Sequence, residues 1–253
     1  MILYETGSGR ATITLNEPER RNPLSTEVMG ELVAATRKAM DDPGVRVLVF
    51  TGAGDKAFSA GGDLSAGFVD NPLGRHNERG AFADLFRLMA RGGKPTVARV
   101  NGHALAGGFG LAVACDITIC VDDAKLGTTE VKMGLWPMMI SAVLVRSMPR
   151  KAVLEMMLTG RLIDAEEAQR LGAVSRVVPR HQLDTAVDEV VASLITSSPS
   201  SYLIGRDAFA AMADLPFDVA LDRLQTGLTE IAMTEDVIEG ISAFQEKRPP
   251  NWG

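Results

Sequence analysis

Cysteine is scarce: the 253 residues contain only Cys115 and Cys120. Both lie in an apolar run, they form no CxxC, and no histidine stands at metal-ligand spacing from them. They read as two reduced core thiols of a protein from a reducing compartment. Histidine is nearly as sparse, and His76, His103 and His181 are too scattered to compose a metal site. Positive charge is in deficit, with 26 Lys+Arg against 32 Asp+Glu and a formal net charge of -6. That balance gives no electrostatic reason to expect nucleic acid or an anionic membrane as partner. Long hydrophobic runs are missing as well. The longest near-apolar stretch, residues 104–115, is broken by glycine and falls far short of the roughly 20 residues that span a bilayer. Met1-Ile2-Leu3-Tyr4-Glu5 lacks the basic-then-apolar order of a secretory signal, so a cytoplasmic protein is expected. No Gly-x-Ser-x-Gly surrounds Ser59, which argues against a nucleophile elbow. Gly93-Lys94 runs into Pro95 without the upstream glycine of a phosphate-binding loop.

What is present is an ordinary globular composition, 46% hydrophobic and 23% charged, in a length suited to one compact unit with or without an appendage. Residues 10–15 alternate and are β-branched, which reads as a strand. Ser25 can cap a helix whose apolar residues Met29, Leu32, Val33 and Met40 fall at helical spacing. Residues 45–51 read as a largely buried strand, followed by a glycine-rich loop over residues 52–63. Phe82, Leu85, Phe86 and Met89 mark a second helix, residues 96–100 a short strand, and residues 117–121 another. Strand and helix alternate to about residue 180, which argues for an α/β class. From Arg180 onward the signals are helical, with a break at Ser197-Ser198-Pro199-Ser200-Ser201. The chain thus divides into an α/β core over residues 1–195 and a helical region over 196–253 that is expected to pack on a partner subunit.

Two loops stand out. One is Lys56-Ala57-Phe58-Ser59-Ala60-Gly61-Gly62-Asp63-Leu64; the other is Asn101-Gly102-His103-Ala104-Leu105-Ala106-Gly107-Gly108-Phe109-Gly110-Leu111. Each follows a strand and is rich in small residues where a backbone must come close to something. The second opens directly into a helix, whose first turn carries free N–H groups and the positive end of a dipole. Such glycines serve turns and tight helix packing, or they aim two N–H groups at one oxygen that gains negative charge, an oxyanion hole. Spacing alone leaves both readings open.

The residues are more specific than their spacing. Ala57-Phe58-Ser59-Ala60-Gly61-Gly62-Asp63-Leu64 resembles the first signature of the crotonase (enoyl-CoA hydratase/isomerase) superfamily. Asn101-Gly102-His103-Ala104-Leu105-Ala106-Gly107-Gly108, with Ala114-Cys115-Asp116-Ile117 after it, resembles the second. The likeness continues in Arg21-Asn22-Pro23-Leu24, in Glu130-Val131-Lys132-Met133-Gly134-Leu135-Trp136-Pro137, in Leu158-Thr159-Gly160, and in Glu239-Gly240-Ile241-Ser242-Ala243-Phe244. These run the length of the chain in the family's order. The resemblance implies a spiral of ββα units with a C-terminal helical region that mediates trimers, commonly stacked as dimers of trimers. It implies an acyl-CoA thioester as ligand and no metal or redox cofactor, CoA being carried by the substrate.

Carried over by the resemblance, the catalytic set is Glu130 as acid/base, with the N–H groups of Ala60 and Gly107 as the oxyanion hole. Substrate contacts are expected from Ala57, Phe58, Gly61, Asp63, Leu64, Gly108, Trp136, Pro137 and Met138. Trp136, Met138 and Met139 would line or narrow the acyl pocket, with core packing the simpler role for Met139. Phe244 and Lys247 match positions that reach the nucleotide of CoA from a neighbouring subunit, and residues 67–78, with Asp70 and Glu78, are expected to cover the acyl group. His103 and Asp116 read as structural. The family's first acid/base carboxylate is absent, because Gly110 stands in its place. One carboxylate suits proton shuttling between two carbons better than addition of water. The expectation is an enoyl-CoA hydratase/isomerase acting on a fatty or branched acyl-CoA, leaning to isomerase. The alternatives are another acyl-CoA reaction on the same scaffold (hydrolysis, decarboxylation, carbon–carbon cleavage) or an acyl-CoA-binding protein.

Overall fold

The computed structural model describes residues 1–63, 73 and 76–252. The chain opens on a hairpin, β1 (Ile2–Gly7) and β2 (Arg10–Leu15), turned at Ser8 and Gly9, both at positive φ. A short β3 (Pro23–Leu24) precedes α1 (Thr26–Asp41). Ser25 caps α1 as its position suggests, its side chain accepting the Val28 N–H. Then come β4 (Val47–Gly52), β5 (Ala57–Ser59), β6 (Gly61–Gly62) and α2 (His76–Arg91). They are followed by β7 (Thr96–Val100), β8 (His103–Leu105) and α3 (Gly107–Ala114). The next unit is β9 (Ile117–Val121), β10 (Lys125–Gly127), a 3-10 turn over Glu130–Met133, α4 (Met138–Ser147) and α5 (Arg150–Thr159). β11 (Leu162–Asp164), α6 (Ala165–Arg170), β12 (Arg176–Val178) and α7 (Leu183–Ile195) close the α/β part. Three helices end the chain: α8 (Pro199–Met212), α9 (Phe217–Ala232) and α10 (Glu235–Glu246).

The strands divide between a six-stranded sheet, β1-β2-β4-β7-β9-β12, and a four-stranded sheet, β11-β10-β8-β5; β3 pairs with β6. The pattern behind this is repetition. β4 then β5, β7 then β8, and β9 then β10 each send one strand to the large sheet and the next to the small one before a helix returns the chain. That is the ββα spiral. Within the small sheet β5, β8 and β10 are parallel neighbours, so their carboxyl ends lie on one edge. Every residue of β4 is buried, and Phe50, Phe58 and Phe109 are among the largest fully buried side chains. Each such burial stabilises by about 1.5–3 kcal/mol relative to exposure. α3 is apolar all round and buried over most of its length, as a central helix must be.

Three departures from the sequence reading have physical causes. The expected loop over 52–63 contains β5 and β6, too short and too glycine-rich to carry a strand pattern. β1, whose residues are mostly exposed, alternates too weakly to be read. The serine-proline cluster is less a break than a helix start, since Ser198 accepts the Ser201 N–H and Pro199 opens α8. α8 is tied back to the core by Arg206, whose Nη2 donates to both Asp116 oxygens and to Met89 O, each at 2.8 Å. Among the described residues no helix is long and apolar enough to cross a membrane.

Candidate active site

Three consecutive turns of the spiral contribute equivalent points. Gly62 follows β5, Gly107 follows β8, and Glu130 follows β10 by three residues. Parallel strands aligned this way gather their following loops at one edge, where ligands of α/β folds commonly sit.

The first loop is held by asparagine. Asn22 is buried, donates to Ala53 O at 3.0 Å and Ala57 O at 2.9 Å, and accepts the Glu17 N–H at 3.0 Å. Asn101 donates to Gly54 O at 2.8 Å and accepts the Gly52 N–H at 3.1 Å. Arg21 and Asn22 are both left-handed, at φ 63° and 54°, which turns the Arg21 carbonyl onto the loop. That carbonyl accepts the Ala60 N–H at 2.9 Å. Ala60 is therefore no oxyanion donor: its one N–H is already bonded. The N–H suited to that role lies two residues on. Asp63 N–H bonds Leu24 O at 3.2 Å in the β3–β6 ladder, so by strand alternation the intervening Gly62 N–H points away from β3. A Cβ built on Gly62 meets nothing within 4 Å, so the space beside it is open.

The second candidate donor is Gly107. Gly107 is the first residue of α3, and its N–H has no i−4 carbonyl to bond. Ala106 makes the elbow at φ 49°, ψ −124°, a strained conformation for a residue with a side chain, and its own N–H is bonded to Gly127 O at 2.8 Å. The Cβ direction of Gly107 ends 3.8 Å from Gly62 N, 3.3 Å from Leu24 Cδ1 and 3.4 Å from Phe82 Cζ. Two N–H groups thus flank one small space walled by apolar side chains. Gly61 makes this approach possible: at φ 93°, a Cβ there would come 2.7 Å from Ala106 Cβ and 3.1 Å from Gly107 N. Gly108 likewise leaves no room, since its Cβ would stand 2.5 Å from Ser59 O.

Glu130 opens the 3-10 turn and is half-buried. Its Oε2 is buried without a hydrogen-bond partner. Burial raises its pKa above the ordinary 4.5, against the smaller lowering effect of its own backbone N–H and that of Thr129. A raised carboxyl with an open lone pair is suited to accept and return a proton. At Gly110, where a second carboxylate would have to originate, a Cβ would come 2.1 Å from Ile140 Cγ2.

The remaining expected residues sort by exposure. Ala57 and Phe58 are core side chains, 4% and 0% exposed, so they hold β5 in place and do not present a side chain to a ligand. Gly61 and Gly108 are buried and act through close packing. The Asp63 carboxylate receives Arg20 Nη2 at 2.7 Å and anchors its loop. Pro137 is buried, while Trp136 and Met138 are exposed on the segment after Glu130. Met139, expected in the core, is exposed; the inward residue is its neighbour Ile140, 3% exposed. Phe244 and Lys247, at the end of α10, are both exposed; α10 packs on α8, and among the described residues no bond joins either side chain to the site loops. Leu64 lies outside the described residues, as does most of the 67–78 segment, Asp70 included; Glu78 stands exposed in the first turn of α2. His103 accepts the Lys125 N–H, and Asp116 bonds Thr96 and Arg206, both as structural residues would. The sequence reading missed Gly62 and Ile140. Strand alternation past Ser59 was the available signal for the first; nothing in the sequence marks the second.

Comparison with known proteins shows the family. The enoyl-CoA hydratase/isomerase family model matches residues 5–253. A protein of Thermus thermophilus described as "Putative enoyl-CoA hydratase" is 40% identical over 255 residues, covering 100% of both chains. The carnitinyl-CoA dehydratase of Escherichia coli strain K12 is 35% identical over 245 residues, 95% of this chain and 93% of that protein. The crystal structure of the Mycobacterium smegmatis enoyl-CoA hydratase superposes with a TM-score of 0.94 at 30% identity, covering 99% of this chain and 98% of that one. The chain belongs to the crotonase superfamily, in its enoyl-CoA hydratase/isomerase family.

Proposed function

We propose that this protein isomerises an unsaturated fatty or branched acyl-CoA, with Glu130 as its single acid/base and the N–H groups of Gly62 and Gly107 as its oxyanion hole. The observation that supports this reading is the unpartnered, buried Glu130 oxygen, on a spiral turn next to the one where the Gly107 Cβ direction ends 3.8 Å from Gly62 N. In a 3-enoyl thioester the Glu130 carboxylate removes a proton from C2. The electron pair spreads to the thioester oxygen, where the two N–H groups meet the charge as it develops. Glu130 then returns the proton to C4, the double bond moves to C2–C3, and no atom is gained or lost. Losing one oxyanion donor of this kind costs roughly 10²–10³ in rate.

A second reading has its own support. The related carnitinyl-CoA dehydratase removes water by its name, so elimination of water from a 3-hydroxyacyl-CoA is the competing chemistry. One experiment separates them: crotonyl-CoA and a 3-enoyl-CoA are assayed side by side for enoyl-thioester absorbance and product mass. We expect the 3-enoyl substrate to become conjugated at unchanged mass. A product one water heavier than crotonyl-CoA, with the 3-enoyl substrate untouched, overturns isomerisation in favour of the second reading.

A further inference from the structure

We propose that Ile140 fixes the reaction class of this site by occupying the volume into which a second acid/base side chain at position 110 would project. The inference rests on the reading of Glu130 as acid/base and goes beyond it, because it names what keeps a partner carboxylate out.

Gly110 lies one helical turn after Gly107 on α3, so the two share a face. Side chains from position 110 therefore start beneath the oxyanion donor. That direction is closed. A Cβ there would come 2.1 Å from Ile140 Cγ2 and 2.6 Å from its Cβ, with Ile140 Cα next at 3.6 Å. These atoms sit at the branch point of a β-branched side chain, whose χ1 is nearly fixed within a helix. Ile140 is 3% exposed in the first turn of α4 and belongs to the hydrophobic core. It cannot swing aside as the end of a long side chain could, so a larger residue at 110 must push α4 away from α3.

The chemical consequence follows from what water needs. A held water requires two to four polar partners. Addition of water to an enoyl thioester needs one group to take a proton from the water as it attacks C3 and a donor to place a proton on C2. On the position-110 side this site offers a glycine backed by isoleucine, which provides neither the grip nor the proton. The glycine and the isoleucine act as a pair: Ile140→Gly alone adds no carboxylate, and Gly110→Glu alone adds one with no room to seat it.

The test is a cycle at positions 110 and 140. Ile140→Gly, not Ile140→Ala, is the informative partner, because an alanine Cβ would keep the 2.6 Å contact. We expect Gly110→Ala alone to lower Tm by about 5 °C or more, as overpacking of a core does in a chain of this size. In G110A/I140G the loss should fall well short of the sum of the two single losses. We expect G110E/I140G to hydrate crotonyl-CoA about tenfold or more above wild type, a modest share of what a positioned acid/base group contributes. G110E alone should melt low and gain no hydration. The proposal is overturned if Gly110→Ala melts within about 1 °C of wild type. It is equally overturned if G110E alone hydrates as well as the double variant, or if a folded G110E/I140G binds crotonyl-CoA without adding water. Should G110E/I140G not fold, additive losses in the alanine cycle overturn the proposal and non-additive losses support it. Failure of the parent reading shows elsewhere: Glu130→Gln with full turnover would remove Glu130 from its role while leaving the melting cycle unchanged.

Discussion

Glu130 is the residue on which the proposed chemistry and stability meet. Burial raises its pKa above 4.5, so the folded chain holds this proton more tightly than the unfolded chain does. Its contribution to stability is therefore full below about 4.5 and declines as pH rises from there through the raised folded value. Glu130→Gln carries no charge to desolvate. The Tm difference between E130Q and wild type should thus move in the variant's favour between acid and neutral pH, and a flat or opposite trend in a melting series would contradict this. In wild type the acid limb of kcat/KM should lie above the ordinary carboxylate range, since the working form is the carboxylate. The two adjacent glycines of the first loop make a second contrast. Gly61→Ala places a methyl 2.7 Å from Ala106 Cβ at φ 93°, whereas Gly62→Ala meets nothing within 4 Å. We expect G61A to cost about 1–3 kcal/mol and most of the activity, and G62A to stay within about 0.5 kcal/mol of wild type. Equal melting of the two variants would contradict the close approach described for this loop.

At the scale of elements, the long, periodic ones were legible. The helix capped by Ser25, the buried strand before Gly52 and the helical C-terminal part all lie close to where their patterns put them. β5, β6 and β8 were not legible, because strands of two or three residues carry no period. That gap had a cost at the site. The resemblance alone put the expected oxyanion donor at Ala60, whose N–H is bonded to Arg21 O; only the β3–β6 pairing turns attention to Gly62. Glu130 and Gly107 are candidates that motif residues make visible, whereas Ile140 emerges only from the packing of α4 on α3. The C-terminal helices carry a separate proposal. Phe209, Phe217, Leu228, Met233, Ile238 and Phe244 on α8–α10 and their connections are all more than half exposed, a larger apolar display than a lone chain commonly keeps in water. We propose that residues 196–253 form an oligomerisation region on the 1–195 core, covered by further copies of this chain in a trimer or a dimer of trimers. Light scattering on the eluting peak tests it: a mass of three or six chains is expected, and a stable single chain would contradict it.

The molecule as a whole is a repeated ββα unit whose three turns each deliver one part of the site to a common edge. In the proposed site Gly62 and Gly107 act through backbone N–H groups alone, so the functional signal is carried by what is missing at those positions. The net charge of -6 means that a phosphate-rich thioester must be held by local donors. The measurement that tests the account most directly is turnover of a 3-enoyl-CoA by wild type and by Glu130→Gln in one experiment, with acyl-CoA binding measured alongside. The account predicts conjugation at unchanged mass by wild type, a loss of about 10³-fold or more in kcat for E130Q, and acyl-CoA affinity within about threefold. An E130Q variant that converts the substrate at the wild-type rate would contradict the account at its centre.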